Sequence, residues 1–461
     1  DDEILEPSKT RLAEKGLLPK QMGWNPECIS QEIDAIILGM HARIDNPELL
    51  RAQELGVKIY SYPEFIFNHS KDKTRVSITG SHGKTTITSM ILHVLQYHNV
   101  STDYMVGALI DGFDTMVKLT DDEFIVLEGD EYLSSPIDLR PKFLHYKPNI
   151  VLLSGIAWDH INVFPTYEIY KEQFSLMLDS IEKGGVIIYN TEDSEVVDLV
   201  MKCNNEIKKF PYGLPESRIE DGVTYLNSPE GEVPLSVFGD HNLNNLEGAR
   251  WICLEMGVQE EEFYEAISSF SGAGKRLELI GVKGKSRIFK DFAHAPSKVS
   301  ATVKAVKEQF KEHKVTAILE LHTFSSLTPE FIVGYKGAMD AADEAIVYFN
   351  PEAVAHKKLA PLSEKIVKDK NTIYVSKEKL TFPLIIRKWE NGDSFYPVGM
   401  KGSKKISKYF KDEKYSLLEK EQTWLLCNND QKLIWIIGKR QDSRFQTSIC
   451  DENTVRVHLN T

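Results

Sequence analysis

Apolar runs alternating with amphipathic stretches predict an α/β chain. Ile33-Asp34-Ala35-Ile36-Ile37-Leu38-Gly39 reads as a buried strand that ends in Gly. Asp45-Asn46-Pro47-Glu48 then opens a helix, with Pro47 in the first turn, Leu49, Leu50, Ala52 and Leu55 along it, and Gly56 at its end. Val57-Lys58-Ile59-Tyr60-Ser61 is the next strand. Two strands and two helices make only a small sheet, so the chain is expected to begin in mid-domain.

The next patterns repeat one theme, an apolar strand that delivers polar groups at its end. Arg75-Val76-Ser77-Ile78-Thr79 runs into Gly80-Ser81-His82-Gly83-Lys84-Thr85-Thr86, and a helix pattern follows over 86–97. Strand, glycine loop, Lys-Thr and helix together cradle nucleotide phosphates. Gly80 and Gly83 allow the tight turn, Lys84 reaches the outer phosphates, and the Thr85 hydroxyl ligates Mg²⁺. The spacing is shorter than in the common phosphate loop, with two residues rather than four before the Gly-Lys pair.

Phe124-Ile125-Val126-Leu127 ends in Glu128-Gly129-Asp130-Glu131-Tyr132, where Glu128 or Asp130 either holds a metal or forms a solvated acidic turn. Ile150-Val151-Leu152-Leu153-Ser154 leads to Trp158-Asp159-His160, a second acid–imidazole pair at a strand end. Thr166 caps a helix expected to run to Lys183-Gly184-Gly185, and Val186-Ile187-Ile188-Tyr189-Asn190 is another strand. Gly239-Asp240-His241-Asn242-Leu243-Asn244-Asn245 opens a further helix, whose amides either read an adenine edge or cap the helix. Arg287-Ile288-Phe289 leads to Lys290-Asp291-Phe292-Ala293-His294, a helix pattern follows, and Val315-Thr316-Ala317-Ile318-Leu319-Glu320-Leu321 is a strand. From 367 onward short β patterns dominate: Thr372-Ile373-Tyr374-Val375, Leu384-Ile385-Ile386, Trp424-Leu425-Leu426 and Leu433-Ile434-Trp435-Ile436-Ile437. The stretch 399–410 is basic with interleaved aromatics, either a phosphate-backbone contact or a solvated Lys face.

Composition narrows the class. A chain of 461 residues holds roughly three or four domains. No run of 18 apolar residues occurs, so no membrane span is expected, and Asp1-Asp2-Glu3 is not a signal peptide. Five scattered cysteines lack metal or redox spacing, which suits a reducing cytoplasm. A net charge of −13 argues against nucleic-acid binding by the whole chain, yet residues 371–461 carry 16 Lys/Arg against 11 Asp/Glu.

Thr79-Gly80-Ser81-His82-Gly83-Lys84-Thr85-Thr86 resembles the ATP loop of the Mur ligases, which build and recycle bacterial peptidoglycan precursors, and whose loop is short in the same way. Leu38-Gly39-Met40-His41-Ala42-Arg43, Glu128-Gly129-Asp130-Glu131-Tyr132, Trp158-Asp159-His160-Ile161-Asn162-Val163-Phe164 and Asp291-Phe292-Ala293-His294 extend the likeness over roughly residues 1–365. The resemblance implies a multi-domain α/β fold with a parallel-sheet phosphate-loop domain. Its parts are an incomplete Rossmann-like UDP-sugar domain at 1–73, an ATP-binding domain at 74–277, a shortened ligase C-terminal domain at 278–366 and a β-rich α+β module at 367–461.

It also implies ATP and Mg²⁺ as cofactors. The residues Gly80, Ser81, His82, Gly83, Lys84, Thr85, Thr86, His241, Asn242, Asn245, Arg276 and Asp291 would bind the nucleotide. Thr85, Glu128 and His160 would ligate metal, and Lys84, His160 and His294 would act in catalysis. The implied reaction joins UDP-N-acetylmuramate to the murein tripeptide L-alanyl-γ-D-glutamyl-meso-diaminopimelate in peptidoglycan recycling. The alternatives are addition of free L-alanine, and a catalytically impaired fusion with an RNA-binding tail. Members of this branch begin with a strand and a Gly-rich turn that bind the UDP portion; the sequence starts after that point, so either that segment lies upstream of residue 1 or UDP-sugar binding is impaired. From about residue 371 the sequence is similar instead to the C-terminal domain of tRNA(Ile)-lysidine synthetase, on Gly392-Asp393-Ser394-Phe395-Tyr396-Pro397-Val398-Gly399-Met400-Lys401-Gly402 and Gly438-Lys439-Arg440, which implies a weak tRNA contact through 367–461.

Overall fold

The structure is a computed structural model that describes residues 4–6, 8–110, 112–160, 163–274, 276–323, 325–328, 332–349, 372–398, 402–413, 415–447 and 454–458. Ile161-Asn162, Lys275, the Gly399-Met400-Lys401 part of the basic stretch and the 366/367 boundary lie outside them. By its contacts the chain divides into two compact units, 1–315 with 337–343, and 316–336 with 344–461.

In the first unit, α1 (Ser8–Glu14) precedes β1 (Ile36–Leu38), α2 (Pro47–Leu55), β2 (Ile59–Ser61) and α3 (Tyr62–Ser70). β1 and β2 pair in parallel. The Asn46 side chain accepts the Glu48 N–H to start α2, and Gly56 ends it in the left-handed region at φ 68°.

The centre of this unit is a seven-stranded sheet. β3 (Thr74–Thr79) feeds α4 (Lys84–Tyr97); then come β4 (Asp103–Met105), β5 (Val117–Lys118) and β6 (Phe124–Gly129). A hairpin, β7 (Leu133–Ser135) and β8 (Asp138–Pro141), leads through α5 (Phe143–Tyr146) to β9 (Ile150–Leu153). α6 (Tyr167–Asp179), β10 (Val186–Asn190), α7 (Ser194–Lys202) and β11 (Lys208–Tyr212) follow. The strand order is β11-β10-β9-β3-β6-β4-β5, with every pair parallel except β4/β5. Thr79 lies opposite Gly129 of β6 and Leu153 of β9, so three neighbouring strands end level at one carboxyl edge.

Period-two alternation splits the core between the sheet's faces. Val76, Ile78, Val126, Leu152 and Ile188 pack with α4, α8 (Asp240–Glu255) and α9 (Glu260–Ile267). Ile125, Leu127, Val151, Leu153 and Ile187 pack with α5, α6 and α7 on the other. α6 stops earlier than the sequence suggests. The Ser180 hydroxyl turns back onto the Met177 carbonyl at 2.7 Å, and Ile181 leaves the helix to join the second core face. An antiparallel hairpin, Glu278–Lys283 with Ser286–Lys290, then leads to α10 (Pro296–Gln309).

In the second unit, Thr316–Leu321 and Glu344–Phe349 form a parallel pair. The segment after residue 371 holds a four-stranded antiparallel sheet, Ile385–Lys388, Trp424–Cys427, Leu433–Ile436 and Arg440–Gln441, and Thr372–Ser376 pairs with Thr454–His458. Within the basic stretch, Ile406, Tyr409 and Phe410 are buried against Phe395, Leu425 and Ile436, while Lys405, Lys408 and Lys411 are exposed. The aromatics expected to alternate with lysines on a nucleic-acid surface are core residues. What faces solvent is a Lys face, because a helix of period 3.6 separates the two sets.

Candidate active site

The carboxyl edge of β9, β3 and β6 carries the chemistry. The loop after β3 is built on Gly80 at φ 122° and Gly83 at φ 82°. A Cβ on Gly80 would lie 2.3 Å from Ser154 Oγ, and one on Gly83 would lie 2.3 Å from Asn245 Oδ1. At Gly80 the Gly155 backbone, 3.0 Å from that Cβ, makes glycine a matter of space as well as of φ, whereas at Gly83 the positive φ demands it and the Asn245 side chain would only have to turn aside. α4 begins at Lys84, directly behind Gly83, so its unpaired N–H groups face the loop.

Lys84 Nζ donates to the Gly80 carbonyl at 2.8 Å and to Glu131 Oε2 at 2.5 Å, with Asp130 Oδ1 at 3.8 Å. Burial opposes its charge, but the carboxylates of Glu131, Asp130 and Glu128 outweigh burial and hold the ammonium above its ordinary pKa. Glu131 is 1% exposed and also accepts the Tyr170 hydroxyl at 3.0 Å. Tyr170 OH in turn lies 2.8 Å from Ser81 Oγ, so a hydrogen-bonded chain runs from the loop through α6 to the end of β6. Asp130 is half-buried, and although desolvation would raise its pKa, Lys84 and Lys142 outweigh that and hold its carboxyl down at about 2. The Lys142 contact is 2.6 Å.

His160 completes this cluster from the end of β9. Its Nε2 lies 3.6 Å from Glu131 Oε1 and its ring meets Tyr132 edge-on. The residue takes φ 55°, an unusual conformation for a side chain with a Cβ. Asp159 Oδ1 accepts its N–H at 2.8 Å, and its carbonyl accepts Val163 and Phe164 N–H groups, which stabilise the turn. Asp130, Glu131 and His160 offer ligand atoms within 4.8 Å of one another. Glu128, one pleat earlier, accepts the Thr85 hydroxyl at 3.3 Å on Oε2. Its Oε1 is buried with no hydrogen-bond partner among the described residues, and burial raises its pKa. Hard oxygen donors, one imidazole and an unsatisfied carboxylate oxygen beside a Thr hydroxyl fit a small divalent cation such as Mg²⁺.

Beside the loop lies a cavity of about 250 Å³. Of the residues singled out in the sequence, Ser81, His82, Gly83, Lys84, Thr85, Thr86, His241, Asn242, Asn245, Arg276, Asp291 and His294 line it. Gly80, Glu128 and His160 do not line it. Asp291 is engaged by backbone, accepting Leu277 N–H at 2.7 Å and Ala293 N–H at 2.5 Å. The Asn242 amide donates to the Phe238 carbonyl just ahead of α8, whose N-cap position is Gly239 with no side-chain cap. His294 Nδ1 donates to the Phe292 carbonyl at 2.9 Å, which leaves Nε2 as the acceptor of the neutral ring. His82 Nε2 lies 2.7 Å from Ser297 Oγ at the start of α10. Sequence reasoning missed Glu131, Tyr170, Lys142 and Lys298. Glu131 stood in a quoted acidic run; nothing local distinguishes the other three.

A doubly wound parallel sheet with a glycine loop, a lysine and an oxygen-rich cluster at one edge defines a nucleotide-dependent phosphate-loop protein. The chain belongs to the Mur ligase family, whose members are ATP-dependent ligases that form C–N bonds. The Mur ligase middle domain profile matches residues 78–253, and the TilS substrate C-terminal domain profile matches 384–459. The chain is 31% identical to a UDP-N-acetylmuramate–L-alanine ligase of Caldicellulosiruptor bescii over 316 residues, covering 66% of this chain and 68% of the relative. It is 26% identical to the UDP-N-acetylmuramate–L-alanyl-γ-D-glutamyl-meso-2,6-diaminoheptandioate ligase of Haemophilus influenzae, covering 69% and 73%. The fold matches the crystal structure of a UDP-N-acetylmuramate–alanine ligase from Thermotoga maritima with a TM-score of 0.58 at 19% identity, covering 77% and 80%. No described helix is long and apolar enough to cross a membrane.

Proposed function

We propose that the chain uses ATP and Mg²⁺ to join UDP-N-acetylmuramate to the tripeptide L-alanyl-γ-D-glutamyl-meso-diaminopimelate, with segments 1–73, 74–277, 278–366 and 367–461 as its parts. The observation that carries the reading is the convergence of Lys84, Thr85, Glu128, Glu131 and His160 on the level tips of three strands. In this reading the lactyl carboxylate oxygen bonds to the γ-phosphorus while the bond to the β,γ-bridging oxygen breaks and ADP departs with the electron pair. The amine then attacks the acyl phosphate carbonyl, and phosphate leaves. Activation is needed because a carboxylate is a poor electrophile.

Lys84 and the backbone N–H groups of the loop hold the outer phosphates, so the protein acts by positioning and charge neutralisation. Mg²⁺ held by Thr85 and Glu128, with a second ion at His160 and Glu131, would supply further neutralisation. His241, Asn242 and Asn245 would hold the adenine, and Arg276 and Asp291 would reach the nucleotide as well; all five line the cavity. His294 Nε2 takes the proton that the attacking amine loses. A second reading has free L-alanine as the amine, and the 31% identity to an L-alanine ligase favours it. The test supplies UDP-N-acetylmuramate and Mg-ATP with either amine. ADP release that depends on the tripeptide supports the first reading, dependence on L-alanine supports the second, and dependence on neither rejects both. A tRNA contact by 367–461 has only the exposed lysines and the profile match behind it.

A further inference from the structure

Lys298 is a cation where its surroundings oppose one. It lies in the first turn of α10, at the positive end of that helix, and the first turn holds no acidic residue. Its side chain is 24% exposed and lines the same cavity as Lys84 and Arg276. Burial disfavours its ammonium, as do the like charges of Lys84 and Arg276. Its ion pair, with Asp159, spans 3.7 Å, which is longer than a charge-assisted hydrogen bond. Lys84 is different, for it is held by Glu131 and the Gly80 carbonyl at hydrogen-bond distance. Ala301 and Thr302 line the cavity on the same face of α10, so the helix presents Lys298 inward. Three cations and the N-termini of α4 and α10 thus meet at one cavity. Glu131 and Asp130 compensate Lys84, whereas Lys298 has only the long pair with Asp159, so a polyanion in the cavity would offset its charge most.

We infer that Lys298 grips the terminal phosphate of the bound nucleotide from the α10 side, opposite Lys84, and keeps hold of it as the acyl phosphate forms. The inference rests on the ATP-ligase reading and adds a residue to it. An ammonium has donors and no acceptor, so Lys298 moves no proton. It offsets charge on the phosphoryl oxygens while the bond to the carboxylate oxygen forms and the bond to ADP breaks.

The test compares ADP with adenosine 5′-(β,γ-imido)triphosphate, which keeps a terminal phosphate, on the full chain with Mg²⁺. In Lys298→Met the affinity for the imido analogue should fall about tenfold or more, with ADP affinity within about twofold of wild type. The kcat for ADP release should fall about a hundredfold, and Lys298→Arg should restore most of the analogue binding. Equal weakening for both nucleotides would mark Lys298 as a brace for α10 and overturn the inference, as would no weakening for either. Both outcomes leave the ligase reading standing. Wild-type protein that bound neither nucleotide would overturn reading and inference together. If Lys298→Met does not fold, acetylation footprinting of the wild type decides. Protection of Lys298 by the imido analogue and not by ADP supports the inference, and equal protection or none overturns it.

Discussion

The Tyr170 hydroxyl donates to Glu131 Oε1 at 3.0 Å, which ties α6 to the acidic end of β6. The same hydroxyl sits 2.8 Å from Ser81 Oγ, so the phosphate loop, α6 and the metal-ligand cluster share one buried link. Burial first, and the Glu131 carboxylate second, push the phenol pKa far above its ordinary range. Tyr170 therefore stays a neutral donor at every working pH.

Tyr170→Phe removes that donor and leaves the ring packing intact. Glu131 then keeps one fewer partner for a carboxylate that is 1% exposed. The expected loss is about 1–3 kcal/mol of unfolding free energy, read from urea midpoints.

Lys84→Ala should remove about 3 kcal/mol or more of transition-state stabilisation. It should also lower the melting temperature, because buried Glu131 loses its ion-pair partner. Phosphate release from Mg-ATP with both substrates measures the first effect. A variant with near-normal release would sink the role given to this lysine.

Gly83→Ala puts a Cβ 2.3 Å from Asn245 Oδ1 at φ 82°. The Asn245 amide must turn aside to admit it and the positive φ strains the loop, at a cost of about 1–3 kcal/mol. Nucleotide affinity should fall along with stability, whereas Gly184→Ala, at a similar φ of 75° with nothing within 4 Å, should lower stability alone. Isothermal titration with ADP separates the two variants.

Three histidines set a slope of stability with pH. His82 is pulled down to about 4, first by burial and then by the Lys298 charge, and burial also lowers His145 and His241. In the unfolded chain each binds its proton near the ordinary value of 6.5. Between about 4 and 6.5 the unfolded state holds more protons, so stability rises with pH across that window and levels off above it. The depressed Asp130 acts in the same direction but lower, below its ordinary 3.8. Denaturant midpoints at pH 5 and 7.5 should therefore differ, with the acid value lower. His82→Gln should shrink the difference.

The second unit supplies a simpler test of surface character. Its lysines at 405, 408 and 411 face solvent while Tyr409 and Phe410 sit in the core. Tyr409→Ala should unfold this segment, as loss of a large buried ring costs about 3–5 kcal/mol. Circular dichroism melts of the full chain would record the loss as a lowered or separated transition.

The sequence by itself determined the local pieces of the first unit. Each β3, β6 and β9 pattern, the Gly80–Gly83 loop and the caps at Asn46 and Thr166 depend on neighbours within a few residues, so periodicity and turn chemistry reveal them. Lys84, Glu128 and His160 could be singled out because a strand end is a local address. Tertiary structure alone decided which of these groups meet. Register set Thr79 level with Gly129 and Leu153, and that register turned Glu131 from one acid in a run into the buried partner of Lys84, Tyr170 and His160. Lys298 and Lys142 carry no local sign of their place, since a lysine's partner is chosen by whichever element folds against it. The tail shows the same division: its charge was readable from composition, but the turn of one helix decided that the aromatics go inward and the lysines out.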